Sequence, residues 1–428
     1  MGFSPLSLSQ SLFFILFLFH FHSTISSPLS SNYQSLSLLQ FKQSFSISRS
    51  ASSEDYCQYP FPKTESWKEG TDCCLWDGVT CDLKTGHVTG LDLSCSMLYG
   101  TLLPNNSLFS LRHLQNLDLS FNDFNSSHIS SRFGQFSSLT HLNLSGSVLA
   151  GQVPSEVSHL SKLVSLDLSL NYGLSLEPIS FDKLVRNLTK LRELDLSSVD
   201  MSLLVPDSLM NLSSSLSSLK LNDCGLQGKF PSSMGKFKHL QYLDLGGNNL
   251  TSPIPYDFEQ LTEMVSLDLS GNGYLSLEPI SFDKLVRNLT KLRELDLSSV
   301  DMSLLVPDSL MNLSSSLSSL KLIDCRLQGK LPSLMGKFKH LQYLRLRGNN
   351  LTGSIPCDFE QLIELVSLDL SENFYLSPEP ICFDKLVRNL TKLRELNLAS
   401  VNMSLVAPNS LTNLSSSLSS LSLSKCGL

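Results

Sequence analysis

Residues 240–248 read Leu-Gln-Tyr-Leu-Asp-Leu-Gly-Gly-Asn, and residues 114–122 read Leu-Gln-Asn-Leu-Asp-Leu-Ser-Phe-Asn. Both stretches fit the pattern Leu-x-x-Leu-x-Leu-x-x-Asn, which marks one unit of a leucine-rich repeat. In the central Leu-x-Leu segment, alternate side chains point to opposite faces of a short strand. Each unit therefore predicts one strand of a parallel sheet, with its leucines turned toward a core.

The pattern recurs along most of the 428-residue chain. It begins fourteen times, at Val88, Leu114, Leu139, Leu163, Leu191, Leu216, Leu240, Met264, Leu292, Leu317, Leu341, Leu365, Leu393 and Leu418. The starts lie 24 to 28 residues apart (264 − 240 = 24; 191 − 163 = 28), which excludes ankyrin, TPR and WD40 units. The predicted fold class is an α/β solenoid, a leucine-rich-repeat superhelix of about fourteen repeats over residues 88–428, the last one incomplete.

The ninth position of the repeat predicts a ladder of buried polar side chains. It is Asn122, Asn171, Asn248, Asn272, Asn349 and Asn373 in six units, and Cys224, Cys325 and Cys426 in three others. An amide can bond neighbouring backbone groups from one coil to the next. We expect the three cysteines to be ladder residues rather than reactive thiols.

A block of four repeats has been copied within the chain. Residues 174–221 are identical to residues 275–322. Tandem duplication is the simplest explanation, with an artefact of gene assembly as the alternative. Each 28-residue unit adds apolar residues at helical spacing, at Phe181, Leu184, Val185 and Leu188 in the first copy. This spacing predicts a short helix on the convex side.

The first 27 residues have the features of a secretory signal peptide, with an apolar stretch over residues 12–21 and small polar residues after it. Cleavage is expected near Ser26 or Ser27; a core helix is the alternative. No later stretch contains eighteen consecutive apolar residues, so the sequence as written predicts no transmembrane anchor.

Residues 28–87 are expected to form an N-terminal cap closed by disulfide bonds. Cys57, Cys73, Cys74 and Cys81 lie in this region, and secretion would place them in an oxidising compartment. Because vicinal cysteines rarely bond to each other, we predict the pairs Cys57–Cys73 and Cys74–Cys81. A zinc site is the alternative, but the region has no Cys-x-x-Cys pair and only His87 nearby.

A further disulfide bond is predicted in the third copy of the block. Cys357 replaces Tyr256, and Cys382 replaces Ser180 and Ser281. The two cysteines follow their repeat starts by 16 and 17 residues (357 − 341 and 382 − 365). Since neighbouring coils bring equal offsets together, we expect a Cys357–Cys382 bond, with two free thiols as the alternative.

Charge and missing motifs exclude several functions. The net charge of -7 and the absence of a Lys/Arg run argue against general binding of polyanions, including nucleic acid. The chain lacks G-x-S-x-G, Walker A, H-E-x-x-H and protein-kinase motifs. We therefore expect no enzyme activity, no cofactor and no metal site.

Aspartates occupy one outward strand position in many repeats. They are Asp92, Asp118, Asp167, Asp195, Asp244, Asp268, Asp296 and Asp369. Such a column could bind calcium or act in acid–base catalysis. The preferred interpretation is a well-solvated face.

Twelve N-x-[ST] sequons are plausible glycosylation sites in a secreted chain. They lie at Asn105, Asn125, Asn143, Asn187, Asn211, Asn249, Asn288, Asn312, Asn350, Asn389, Asn402 and Asn413. Three of them belong to the predicted convex helix, so glycans would direct binding to the concave or lateral face.

The sequence resembles the plant extracellular leucine-rich-repeat receptors, in particular receptor-like proteins of the Cf disease-resistance class. The resemblance rests on the cap, residues 67–82, which contains Cys73-Cys74-Leu-Trp76-Asp-Gly78-Val79-Thr-Cys81, and on L-x-G-x-[IVLF]-P elements such as residues 351–356. It implies an extracellular solenoid that recognises a ligand without catalysis, signals through partner receptor kinases and is membrane-anchored in full-length relatives. With no such anchor here, the chain is interpreted as a truncated ectodomain at the plasma membrane or in the apoplast. The alternative is a secreted protein similar to polygalacturonase inhibitors.

The copied blocks also suggest where a ligand would bind. Three outward strand positions change character between them: Asn222 becomes Ile323, Asp244 becomes Arg345 and Gly246 becomes Arg347. Arginine offers several planar donors to carboxylates and is frequent at binding hot spots. We predict that an acidic peptide or protein contacts Lys321, Ile323, Tyr343, Arg345 and Arg347, with neutral drift as the alternative.

Overall fold

The computed structural model describes residues 32–251 and 254–427, and these form a leucine-rich-repeat solenoid. The predicted signal peptide, residues 1–27, lies outside the described residues. Within the described part of the chain, no helix has the length and apolar character that a membrane crossing needs.

The inner face of the solenoid is a sheet of fifteen strands, here called the concave sheet. The first two strands pair antiparallel, and every later pair is parallel and in register. The strands are Val79–Cys81, Val88–Asp92, Asn116–Asp118, His141–Asn143, Ser165–Asp167, Glu193–Asp195, Ser218–Lys220, Tyr242–Asp244, Ser266–Asp268, Glu294–Asp296, Ser319–Lys321, Tyr343–Arg345, Ser367–Asp369, Glu395–Asn397 and Ser420–Ser422. From Val88–Asp92 onward each strand contains one leucine, and this leucine is buried in every strand but the last, as the alternation predicts.

In the part of the chain that the structure describes, four α-helices complete the main elements: α1 (Asn32–Gln43), α2 (Pro178–Asn187), α3 (Pro279–Asn288) and α4 (Pro380–Asn389). Helices α2 to α4 are the predicted convex helices of the 28-residue units. Each begins with proline, which suits the first helical turn because that turn needs no backbone N–H donor. In α2, Phe181, Leu184 and Val185 are buried, so the apolar face meets the core.

Short 3-10 helices and lateral strands connect the remaining coils. The 3-10 helices are Arg49–Ala51, Lys63–Ser66, Cys73–Leu75, Ser107–Ser110, Ser131–Gln135, Ser155–His159, Pro206–Asn211, Met234–Lys236, Tyr256–Gln260, Pro307–Asn312, Met335–Lys337, Cys357–Gln361 and Pro408–Asn413. The strands outside the concave sheet are Ser46–Ile47, Leu98–Tyr99, Ala150–Gln152, Gly173–Ser175, Gln227–Lys229, Asn249–Thr251, Gln328–Lys330, Asn350–Ser354 and Tyr375–Ser377.

The predicted asparagine ladder is confirmed. The Asn248 amide nitrogen donates to the carbonyl oxygens of Leu221 (2.8 Å), Leu245 (2.9 Å) and Gly246 (3.0 Å), and its Oδ1 accepts from the Leu226 N–H (2.9 Å). The other five ladder asparagines make the same kind of bonds across neighbouring coils. Each amide thus satisfies buried backbone groups of two repeats.

The cysteines of the ladder position behave as predicted. The Sγ–H groups of Cys224 and Cys325 each donate to a leucine carbonyl of the preceding coil at 3.1 Å, and that of Cys426 does so at 2.8 Å. All three are buried free thiols. Burial raises the pKa of Cys224 and of Cys325 to about 12, which removes the thiolate needed for reactivity.

The predicted Cys57–Cys73 pair is wrong, whereas the Cys74–Cys81 pair is present. Cys57 bonds Cys95 of the first repeat, with a Cα separation of 5.7 Å. The reason is that the chain before Cys57 runs beside this repeat: the strand Ser46–Ile47 pairs antiparallel with Leu98–Tyr99. Cys73 is a fully buried free thiol in the cap core.

On the convex side, the structure joins Cys357 to Cys382, with a Cα separation of 4.6 Å. Cys357 begins the 3-10 helix Cys357–Gln361, and Cys382 lies in the first turn of α4 in the next repeat. The bond therefore links two consecutive coils.

Candidate ligand-binding surface

The five residues of the predicted ligand site lie on two neighbouring strands of the concave sheet or just beyond them. Lys321 lies directly across from Arg345 in the parallel register. The Asp324 N–H donates to the Arg347 carbonyl at 2.9 Å, which places Ile323 beside Arg347. Tyr343 is partly exposed at the start of its strand. The fold thus brings all five residues into one surface.

This surface borders a shallow hollow of about 340 Å³ in the concave sheet. Lys321, Tyr343 and Arg345 line one side of the hollow, and the acidic residues Asp268, Glu294 and Asp296 line the other. The Lys321 Nζ lies 3.2 Å from an Asp296 carboxylate oxygen. The hollow therefore offers both charges and an aromatic ring, rather than a purely basic floor.

Both arginines already have acidic partners that sequence reasoning missed. Arg345 Nη2 lies 3.4 Å from the Glu395 carboxylate two repeats away, and Arg347 Nη2 lies 2.8 Å from that of Glu372 in the next repeat. The Arg345 and Arg347 side chains remain 37% and 48% exposed. Glu occupies this strand position in all three copies, in the repeat that follows each 28-residue unit, so comparing outward positions two repeats apart could have identified this partner.

The same hollow exists in the earlier block, without the arginines. Its counterpart, of about 320 Å³, is lined by Asp167, Glu193, Asp195, Lys220 and Tyr242 among others. Asp244 takes the Arg345 position there, directly across from Lys220. The two hollows therefore differ mainly in charge, which makes the earlier block a natural reference for the later one.

The expectation of a well-solvated aspartate column is wrong for several members. Asp195 and Asp296 side chains are only 21% and 16% exposed. In each repeat the Oδ1 accepts from the backbone N–H two residues on, as Asp118 does from Ser120 at 2.9 Å. This local bond holds the carboxylate against the end of its strand. Burial raises the pKa of Asp118, Asp167 and Asp268.

Asp244 is a half-buried carboxyl of the same column. Burial, followed by the neighbouring charges of Asp268 and Asp195, raises its pKa to about 6 against the Gly246 N–H bond that lowers it. At neutral pH the ionised Asp244 therefore opposes folding. Below the unfolded pKa of about 4 the carboxyl is protonated in both states, and the penalty disappears.

We expect Asp244→Asn to raise the free energy of unfolding by about 1 to 2 kcal/mol at pH 7. This range is reduced because the carboxyl is partly exposed. At pH 4 the substitution should change the free energy of unfolding little. Asparagine suits this position, because Asn143 and Asn397 already accept the same backbone bond in their repeats. Urea unfolding at both pH values measures the effect. Equal shifts at pH 4 and pH 7 would contradict it.

The sequons are unevenly placed. Asn187, Asn288 and Asn389 end the convex helices, and Asn211, Asn312 and Asn413 end 3-10 helices. Asn143, by contrast, lies in a strand of the concave sheet, and its amide donates to the Asp118 carboxylate. No sequon asparagine lies in the concave strands from Ser218–Lys220 to Glu395–Asn397, so that stretch around Arg345 would stay free of attached glycan.

Among the residues that the structure describes, two sulfur-containing clusters have the composition of metal sites. One consists of Cys73, Cys74 and Cys81, and the other of Cys357, Glu379 and Cys382. In each cluster two of the cysteines are joined to each other. The disulfide bonds therefore occupy the sulfurs that a zinc ion would need.

Comparisons with known proteins agree with this architecture. The family "Leucine rich repeat N-terminal domain" matches residues 31–82, and leucine-rich-repeat families match residues 214–273 and 340–362. Receptor-like protein Cf-9 of Solanum pimpinellifolium is 45% identical over 223 residues, which is 50% of this chain and 25% of Cf-9. The chain spans about a quarter of the length of such curated relatives.

Two solved structures show the same solenoid. The complex PEPR1–AtPEP1 has a TM-score of 0.62 at 28% identity and covers 92% of this chain and 52% of that chain. The plant peptide hormone receptor RGFR1 in complex with RGF2 has a TM-score of 0.61 at 30% identity, covering 82% and 52%. The resemblance to plant receptor-like proteins is confirmed over the aligned residues.

Proposed function

We propose that this leucine-rich-repeat chain, similar over half its length to plant receptor-like proteins, is an extracellular ligand-recognition domain. Its ligand is an acidic peptide or protein, bound on the concave sheet at Lys321, Ile323, Tyr343, Arg345 and Arg347. The observation that carries the proposal is the exposed arginine pair beside a hollow, on a sheet whose equivalent positions are otherwise largely acidic or polar. RGFR1, which shares the fold, is described as a peptide hormone receptor.

The ion pairs of the two arginines favour exchange with a ligand. Exposed salt bridges contribute about 0 to 1 kcal/mol, so replacing Glu372 or Glu395 by a ligand carboxylate costs little. A docked ligand would also exclude water from the guanidinium groups and strengthen the new bonds. Glu372 and Glu395 thus hold the two guanidinium groups in place until a ligand carboxylate replaces them.

The same proposal covers secretion, glycosylation, cellular location and signalling. Residues 1–27 act as a signal peptide, the sequons carry glycans, and the chain works on the extracellular side of the plasma membrane. The resemblance to the Cf disease-resistance class favours defence over development as its context. Signalling passes to partner receptor kinases, as the resemblance to receptor-like proteins implies.

We expect acidic peptides to bind the secreted protein through the arginine pair. A random peptide display library is panned against the wild type, and the selected peptides are measured against Arg345→Asp/Arg347→Gly. This variant reproduces the earlier block at those two positions, so it should fold. Selected peptides should be enriched in Asp and Glu and should bind the variant at least tenfold more weakly.

The matched control is Arg326→Gly/Lys330→Asp, which makes the same change of −3 in net charge on the lateral side. Both control residues are exposed, and Arg326 has a positive φ of 58° that glycine adopts readily. The control should keep wild-type affinity. Equal affinity of wild type and Arg345→Asp/Arg347→Gly for every selected peptide would refute the site.

A further inference from the structure

A second charged surface lies at the edge of the concave sheet where the strands begin. Lys162, Lys190, Arg192, Lys238 and His239 are exposed there, and we call them the basic edge. They are up to 77 residues apart in sequence (239 − 162 = 77). The coils stack them, so the absence of a Lys/Arg run in the sequence does not exclude a local basic surface.

Backbone hydrogen bonds show that these turns stand in line. The Arg192 N–H donates to the Val164 carbonyl at 2.8 Å, the Ser217 N–H to the Arg192 carbonyl at 2.8 Å, and the Gln241 N–H to the Ser217 carbonyl at 2.8 Å. Neighbouring strands lie about 4.8 Å apart, so basic groups two coils apart repeat at about 10 Å. The basic edge is thus a row of basic side chains along the stacked turns, interrupted by one coil, residues 213–217, that carries none.

The later copies show that the unpaired charge is a local property. The Lys162 position is Glu263 in the second copy and Glu364 in the third. Glu263 lies 2.6 Å from Lys291 and Glu364 lies 2.6 Å from Lys392, the counterparts of Lys190. In the first copy a lysine faces Lys190 instead, and among the described residues no carboxylate forms a salt bridge with either.

A groove with hydroxyl groups runs beside these cations. It has a volume of about 350 Å³ and is lined by Arg192, Ser215, Ser217, His239, Gln241 and Glu263. No large apolar side chain is exposed on the described turns 159–163, 187–192, 213–217 and 237–241. The carboxylate in this lining, that of Glu263, is paired with Lys291. The surface therefore offers positive charge and hydrogen bonding, but not the apolar face that insertion into a membrane requires.

We propose that the basic edge binds a linear anionic polysaccharide, with carboxylates on its sugar units and free hydroxyl groups. The row of cations fits a chain-shaped polyanion, and the serine and glutamine side chains fit its hydroxyls. This surface is separate from the ligand site on the concave sheet. The net charge of −7 favours selectivity, because the rest of the surface repels polyanions.

The test uses polygalacturonate as the probe and its fully methyl-esterified form as an uncharged control. The secreted protein should bind polygalacturonate at 50 mM salt, at least tenfold more weakly at 200 mM salt, and should not bind the ester. Lys162→Glu/Arg192→Gln should weaken binding at least tenfold. Glutamate occupies the position of Lys162 in both later copies, so the variant is expected to fold.

The matched control is Lys183→Glu/Lys229→Gln, which lowers the net charge equally on the convex and lateral sides, where both lysines are exposed. It should bind polygalacturonate within about twofold of wild type, and so should Arg345→Asp/Arg347→Gly. Equal weakening by the control, equal binding of the ester, or binding only to vesicles of phosphatidylserine would overturn the proposal.

Discussion

Replacing a single ladder asparagine, Asn248→Ala, should lower the free energy of unfolding by about 3 to 5 kcal/mol. The substitution leaves the buried Leu221 carbonyl without its donor and the Leu226 N–H without its acceptor. The Leu245 and Gly246 carbonyls lose one bond each but keep the Asn272 amide and the Asp223 N–H as donors. A buried unsatisfied group costs about 1 to 3 kcal/mol, and water entry into the turn offsets part of the sum. Chemical unfolding followed by circular dichroism measures the loss.

Two companion variants test the cause. Asn222→Ala, one coil earlier, removes a half-buried side chain whose position is isoleucine in the next copy, and it should change stability by less than about 0.5 kcal/mol. Asn248→Cys should lose less than Asn248→Ala, because the Sγ–H of Cys224 makes the corresponding bond to the preceding coil. If Ala and Cys at position 248 were equally harmful, the hydrogen-bond explanation would fail.

The ladder was predictable because it depends on spacing alone. Residues at equal offsets in consecutive repeats must meet, so Asn248 and Cys224 share an environment whatever their neighbours are. The convex helices follow the same logic, since Phe181, Leu184 and Val185 recur at helical spacing and are buried. Periodic sequence therefore predicts periodic structure well.

Contacts between residues at different positions of their repeats were not predictable from spacing alone. Arg345 reaches Glu395 across two coils, and the length of both side chains decides that pair. The aspartate column was expected to be solvated because each aspartate faces outward. Its burial depends on the curvature of the sheet and on the local bond to the following N–H, which sequence spacing does not contain.

The cap lies outside the regular repeat, so repeat spacing could not predict its disulfide pairing either. Proximity in sequence favoured Cys73 as the partner of Cys57, whereas the fold places Cys95 there. Cys95 follows the strand Val88–Asp92 of the first repeat and belongs to the solenoid, so the bond fastens the cap to the repeats. No pattern within the cap alone could identify a partner 38 residues away.

Removing this bond should cost more than removing the shorter one. In the chain-entropy model, closing a loop of 38 residues contributes about 4 kcal/mol and a loop of seven residues about 2.5 kcal/mol. Cys57→Ser and Cys95→Ser should therefore each lower the free energy of unfolding by about 3 to 4 kcal/mol. The double variant should cost little more than either single variant, because the two residues form one bond.

Cys73→Ala separates the two possible pairings. If Cys73 is a free buried thiol, losing its sulfur costs about 1 kcal/mol through a small cavity, and the Cys57–Cys95 peptide persists in a non-reducing digest. If Cys73 were bonded to Cys57, this variant would be as unstable as Cys57→Ser and Cys95→Ser would be nearly neutral. Parallel unfolding curves of Cys57→Ser, Cys95→Ser and Cys73→Ala decide between them, because the order of the three stabilities reverses with the pairing.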